Sequence, residues 1–205
     1  SEEIQKQILG SFQSFIFHDG TTGSTYLKSE KSDSKVDSKN EEALTEAIHL
    51  LGFEIKPFKT SSSTVIKLLA KPDALAMNVF DKLGVRFITK SMFDCFRVIR
   101  FLVEQNLISY PHIMPDQSHN NLYPLDMFLE ACSHQVSNVD VESDKFFHNY
   151  LEKNKSEANF LKKGNTFSGA DYQSIKFICR KLIRVKKEKG SFTFFYPFEV
   201  QIMDE

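Results

Sequence analysis

The chain has 205 residues, room for one large domain or a domain with appendages, and 20 Phe with no Trp make Phe its main large core filler. Its 26 Lys and Arg nearly balance 27 Asp and Glu, which excludes a global charge field toward nucleic acid or membrane and leaves only local patches. Cys95, Cys132 and Cys179 are far apart and make no CxxC, so they read as reduced thiols of a cytosolic protein rather than a disulfide frame or a zinc site. No apolar run approaches the roughly 18 residues of a membrane span, and the first residues do not read as a signal peptide. Ser1 in place of an initiator Met, and a strand-like run reaching almost to Glu205, predict that the native protein continues beyond this sequence.

From the start, Ile4, Ile8, Leu9, Phe12, Phe15 and Ile16 fall on one face of a helix expected over Glu2 to Phe17. Gly20 to Asn40 is rich in Gly, Ser, Thr, Lys and Asp and reads as a mobile linker. Asn40 is placed to cap a second helix ending at Leu51 before Gly52. Residues 1–52 are thus expected to be N-terminal helices around a linker, with 53–205 the main domain.

Within that domain Phe53-Glu54-Ile55-Lys56 alternates like a strand, and Thr60 to Thr64 leads into a short helix carrying Val65, Leu68 and Leu69. Leu83 to Thr89 is a compact strand, and Ser91 caps a long amphipathic helix reaching Asn106. Tyr110 to Lys163 reads as a helical insert, with helices over Leu125 to His134 and Ser143 to Lys153. Tyr172 to Lys186 and Phe192 to Met203 form a hairpin around Lys187-Glu188-Lys189-Gly190. This order predicts an α+β fold, a mixed sheet with helices packed on it.

Strand parity then sorts the hairpin's side chains. Phe198, Val200 and Ile202 share one face, Glu199 and Gln201 the other, and on the outgoing strand Tyr172, Ser174, Lys176, Arg180 and Arg184 share a parity. One hairpin face is therefore polar and mostly basic around a carboxylate, a pattern that suits phosphates and a base and equally the wet face of an antiparallel sheet. Asp81, next to Gly84 and Arg86, stands where either a Mg²⁺ ligand or a turn residue belongs. The six His make no HExxH or His-x₃-His pair, and no Walker A, GxGxxG or GxSxG occurs.

Four pieces in order resemble the synthetase domain of RelA/SpoT-type alarmone enzymes, of nucleotidyltransferase fold, which move pyrophosphate from ATP to the ribose 3′-hydroxyl of GDP or GTP. Lys59-Thr60-Ser61-Ser62-Ser63-Thr64-Val65-Ile66-Lys67-Leu68 is similar to K-S-x-x-S-I-x-x-K-L, and Asp81-Lys82-Leu83-Gly84-Val85-Arg86 to D-x-x-G-x-R. Tyr172-Gln173-Ser174-Ile175-Lys176 is set against G-Y-R-S-L-H, and Glu199-Val200-Gln201-Ile202 against E-x-Q-I-R-T. Phe93 to Val98 loosely resembles D-D-x-Y-R-V.

The resemblance implies a mainly antiparallel nucleotidyltransferase-like sheet and a Mg²⁺-dependent pyrophosphotransferase using ATP. It gives Asp81 and Glu199 the metal, with Glu199 as base; Lys59, Ser63 and Lys67 the ATP phosphates; and Arg86 the adenine. Tyr172 and Lys176 would take the acceptor, supported by Gln201. GDP, GTP or the 3′ end of an RNA is the acceptor implied, and the cytoplasm the location. The departures are Pro57 where an adenine-binding Arg is expected, Asp171 and Lys176 in the acceptor loop, and Met203 and Asp204 after the last motif. They leave open a catalytically inactive nucleotide-binding or regulatory module, and a structural or interaction domain.

Overall fold

In a computed structural model of the chain, the residues described are 2–29, 47–58, 65, 83–134, 145–146, 149–150, 153–154, 173–187 and 190–205. Among them, seven strands form one sheet, flanked by helices: β1 (Ile16–His18), β2 (Thr25–Leu27), β3 (Ile48–Lys56), β4 (Gly84–Thr89), β5 (Ile113–Asn120), β6 (Ile175–Lys187) and β7 (Gly190–Asp204). The order across the sheet is β1-β2-β3-β4-β7-β6-β5, and every neighbouring pair is antiparallel except β4 with β7. The expected mixed, mainly antiparallel α+β sheet is the one observed.

Helices α1 (Glu2–Gln13), α2 (Met92–Glu104) and α3 (Leu125–His134) supply the covering layer. Phe12 of α1 meets Phe87 of β4 and Phe198 of β7 at ring-centroid distances of 6.3 and 5.7 Å, while Phe15 sets its edge to Phe101 of α2. Phe96 of α2 packs 4.5 Å from Phe128 of α3. Val85, Phe87, Phe177, Phe198, Val200 and Ile202 form the buried sheet side of this core. Their parity leaves Glu54, Lys56, Arg86, Lys176, Glu199 and Gln201 to the opposite face.

Ser91 is the N-cap of α2, its hydroxyl accepting from the Asp94 N–H at 3.2 Å. The helix stops at Glu104 rather than at Asn106, which takes a left-handed φ of 55° just beyond the end, a conformation Asn tolerates. The hairpin forms as its alternation predicts, but it pairs Ile175 with Ile202 through to Lys187 with Gly190, so Lys187 and Gly190, expected in the turn, belong to the strands, and Ser174 precedes the first of them. Pro197 fits inside β7 because of where it falls. Glu199, two residues on, sends its N–H toward the β4 side to Leu83 at 2.8 Å, and β4 pairing begins only at Gly84 opposite Glu199. The missing N–H of Pro197 thus points past the end of β4.

Four expectations are corrected. The first helix ends at Gln13, and Ile16–His18 turns back as β1. The linker over 20–40 contains β2, whose Thr25–Leu27 pairs with both β1 and β3. The second helix is replaced at its C-terminal end by β3, which runs without a break in strand through Gly52; Ile48 and Leu50 are buried on alternate positions while His49 and Leu51 are not. Alternation over these four residues outweighs the helix signal from Asn40 and Gly52. The insert also contains a strand, β5, at the sheet edge, where exposed Pro115 is tolerated and the register shifts between Met114 and His119. The helix Leu125–His134 has the expected bounds. The short helix after Thr60 and most of the one over 143–153 lie outside the described residues.

Candidate functional site

Cross-strand register places two rows of side chains on the face opposite the core. One row runs Ile178, Glu199, Gly84, Lys56 across β6, β7, β4 and β3; the next runs Lys176, Gln201, Arg86, Glu54. These rows put together residues more than a hundred positions apart in sequence.

Glu199 is the centre, with its side chain 5 % exposed. Lys56 Nζ donates to Glu199 Oε1 at 2.7 Å and to Gln201 Oε1 at 2.6 Å. Lys176 Nζ stands 2.9 Å from Glu199 Oε2 as an ion pair, although Oε2 lacks an aligned hydrogen-bond donor. Arg86 donates through Nε to the same Gln201 oxygen at 3.2 Å and through Nη1 to Glu54 Oε2 at 2.9 Å. Gln201 thereby ties the two cations, and its carbonyl orientation is set by them.

Gly84 makes the close packing feasible. A Cβ there would lie 2.6 Å from the Glu199 carbonyl oxygen and 2.9 Å from Glu199 Cβ, closer than atoms of the backbone and its first side-chain carbon can sit.

The electrostatics follow from burial and neighbours. Burial by itself would push the Glu199 carboxyl up; Lys176 and Lys56 more than offset it, so the carboxyl titrates below its ordinary value. Burial lowers Lys56, with Glu199 opposing that fall only in part. Glu199 is thus held ionised at neutral pH. Lys56 and Lys176 flank it, Arg86 stands in the next row bound to Gln201 and Glu54, and of the two carboxylates in the rows Glu54 lies at the exposed rim. The chemistry this arrangement offers is recognition of an anion, with phosphate the natural partner of a guanidinium and two ammonium groups.

Among the described residues no group of three or more His, Cys, Asp or Glu is placed to hold a metal ion. Both oxygens of Glu199 face ammonium groups within 2.9 Å, so a divalent cation at this carboxylate would meet two like charges. The described residues, as placed, do not fit Mg²⁺ on Glu199 while Lys176 keeps its position.

Of the residues expected in the site, Glu199, Gln201, Arg86 and Lys176 lie together on this face. Asp81, Lys59, Ser63, Lys67 and Tyr172, with Asp171, lie outside the described residues. Lys56 is a member that no motif in the sequence marks. Its signal was the alternation Phe53-Glu54-Ile55-Lys56, which sets Glu54 and Lys56 on one face and two apolar residues on the other. The three cysteines form no disulfide, and burial pushes the thiols of Cys132 and Cys179 upward, away from the reactive thiolate.

No protein-family model and no curated protein matches the chain. Solved structures do. A GTP pyrophosphokinase family protein from Streptococcus pneumoniae is 13% identical over 76% of this chain and 52% of its own, with a TM-score of 0.38. The small alarmone synthetase 1 from Bacillus subtilis is 13% identical over 76% and 55% at a TM-score of 0.37, and small alarmone synthetase 2 from the same organism 15% identical over 76% and 55% at 0.36. The chain spans about half the length of these structures. Likeness at that level does not carry a function, which has to be argued from the residues of this chain.

Proposed function

We propose that the polar sheet face binds the phosphates of a nucleotide, and that the protein is an ATP- and Mg²⁺-dependent pyrophosphotransferase acting on a guanine nucleotide or a related 3′-hydroxyl acceptor. The observation that carries the phosphate reading is the buried Glu199 between Lys56 and Lys176, on one face with Gln201 and Arg86. A carboxylate in that position keeps two ammonium groups oriented and close together before a ligand arrives. An incoming phosphate competes with Glu199 for the more exposed of them, Lys176. The transfer chemistry rests on the motif order in the sequence.

In this reading Lys59, Ser63 and Lys67 bind the ATP phosphates, Arg86 lies against the adenine, and Tyr172 and Lys176 hold the acceptor. Gln201 keeps Lys56 and Arg86 in register. Mg²⁺, entering with the ATP phosphates, would be held by Asp81 and would supply charge neutralisation on the transferring group. Glu199 is the group available to accept the hydroxyl proton, and it is ionised as that role demands.

The same lowered titration favours a second reading. A carboxylate held below its ordinary range is a weak base, and one engaged at both oxygens suits an inactive nucleotide-binding module.

Incubation of the full chain with Mg²⁺ and ATP plus GDP or GTP, followed by chromatography of the nucleotides, separates these readings. Transfer yields AMP together with an acceptor heavier by a pyrophosphate, and Asp81→Ala abolishes it while leaving the thermal transition in place. ATP binding by calorimetry with no AMP establishes the inactive module. Failure to bind ATP overturns both.

A further inference from the structure

The polar rows occupy only the inner end of the hairpin. Beyond Ile178 the same face continues along β6 as Arg180, Leu182, Arg184 and Lys186, and along β7 as Pro197, Phe195, Thr193 and Ser191. Arg180, Leu182, Arg184 and Lys186 are all exposed, with Leu182 at 56 % and Phe195 at 49 %. The Arg180 guanidinium lies 6.0 Å from the Phe195 ring centre, and the His112 ring stands beside Phe195 at 5.0 Å with a tilt of 36°. Tyr110, two residues before His112, is 64 % exposed.

Two features decide what such a face suits. First, its charge is of one sign: in the described β6 and β7 positions on this face, the only acid is Glu199, which is buried between its lysines. The chain as a whole has a net charge of −1, so this strip departs from the rest of the surface. Second, it is long. The cations Lys176, Arg180, Arg184 and Lys186 extend over ten residues of antiparallel strand, about 34 Å at the usual rise per residue. One nucleoside polyphosphate is too short to bridge that distance; a strand of several nucleotides is not. The exposed Phe195 ring, with the half-buried His112 ring beside it, provides a flat apolar surface on which unpaired bases stack, and stacking of that kind tolerates any base sequence. A duplex, with its bases already stacked inside, has no use for the rings.

We propose that this outer face of the β6–β7 hairpin binds single-stranded nucleic acid, with Phe195 and His112 stacking bases and Arg180, Arg184 and Lys186 contacting phosphates. The strip meets the nucleotide site at Lys176, while its rings and its outer cations Arg180, Arg184 and Lys186 lie outside that site and can be tested apart from it.

The test is fluorescence anisotropy of a labelled 20-nucleotide mixed-sequence RNA with the full chain, across a series of KCl concentrations, beside a duplex of the same sequence. The single strand is expected to bind more tightly than the duplex, with log K falling against log[KCl] by about 0.7 for each phosphate contacted. Phe195→Ala should weaken binding by about 5- to 100-fold and leave the salt slope unchanged. The charge reversals Arg180→Glu and Arg184→Glu, made together at exposed positions that carry no part of the core, should weaken binding at least as much and flatten the slope. Absence of binding at low salt, equal binding of the duplex, or wild-type binding by either variant overturns the proposal. So does a concentration-dependent dimer that Phe195→Ala abolishes in a chain that does not bind the RNA.

Discussion

Glu199 shows how much one residue's state depends on two neighbours. Its carboxyl is buried, and without Lys56 and Lys176 burial would favour the neutral acid. With them it titrates below its usual value of 4.5. A carboxyl whose titration is depressed by folding adds stability above its unfolded-state value, and that stability is lost as pH falls through the folded-state value. Glu199→Gln removes the contribution and leaves two ammonium groups facing a neutral amide. At pH 7 urea denaturation should show the variant less stable by about 1–3 kcal/mol, short of the 3–5 for breaking a fully buried pair, because the side chains of Lys56 and Lys176 are 31% and 40% exposed. The gap between the two proteins should close as pH falls below 4.5; a gap independent of pH would assign the cost to packing instead.

At the scale of elements, the β6–β7 hairpin outruns its neighbours. The β5 pairing stops at Cys179, so the edge of β6 from Arg180 onward has no strand beside it among the described residues. Open edges invite pairing with other chains. Helix α1 covers part of this one: Gln7 Nε2 donates to the Arg184 carbonyl at 2.8 Å, and the Arg184 N–H donates back to Gln7 Oε1 at 3.2 Å, much as a strand residue would. Lower on the same helix, Lys181 Nζ donates to Ser11 Oγ at 2.6 Å. Gln7→Ala should speed hydrogen exchange at the Arg184 amide. The cost in stability should be only about 0.5–1.5 kcal/mol, since the exposed edge groups regain water. Unchanged protection at Arg184 would mean that the helix does not guard this edge in solution.

For the molecule as a whole, the described helices lie on one side of the sheet and the polar rows on the other. Phe12 is the residue that closes the layer from the N-terminal side: it is 1% exposed and touches the rings of Phe87 and Phe198 from two adjacent strands. Phe198 precedes Glu199 directly, so the core contact and the site are one residue apart on opposite faces of β7. Phe12→Ala should cost about 3–5 kcal/mol in chemical denaturation. It should also loosen the site, read as weaker nucleotide binding in a variant that touches no ligand. A small cost would show that α1 packs on the sheet only loosely.

What was legible from sequence alone follows the length of each pattern. The β6–β7 hairpin alternates over more than twenty residues, and the helix begun by Ser91 combines a cap with a wide apolar stripe, so both were plain. Parity along the hairpin then set Glu199, Gln201 and Lys176 on one face, and the motif order brought Arg86 into the same group. The three-residue strands β1 and β2 carry too few positions for any period to show, and β5 holds Pro115 and a shifted register that hide its alternation. Each of these became a strand only because a neighbour was there to take its hydrogen bonds. Lys56 belongs to the site for the same reason: β3 must pair with β4, and β4 with β7, before Lys56 comes to lie beside Glu199. Local sequence therefore determined which residues share a face, since alternation is a property of a single strand. Tertiary structure decided which faces meet, since that depends on pairing between segments more than a hundred residues apart.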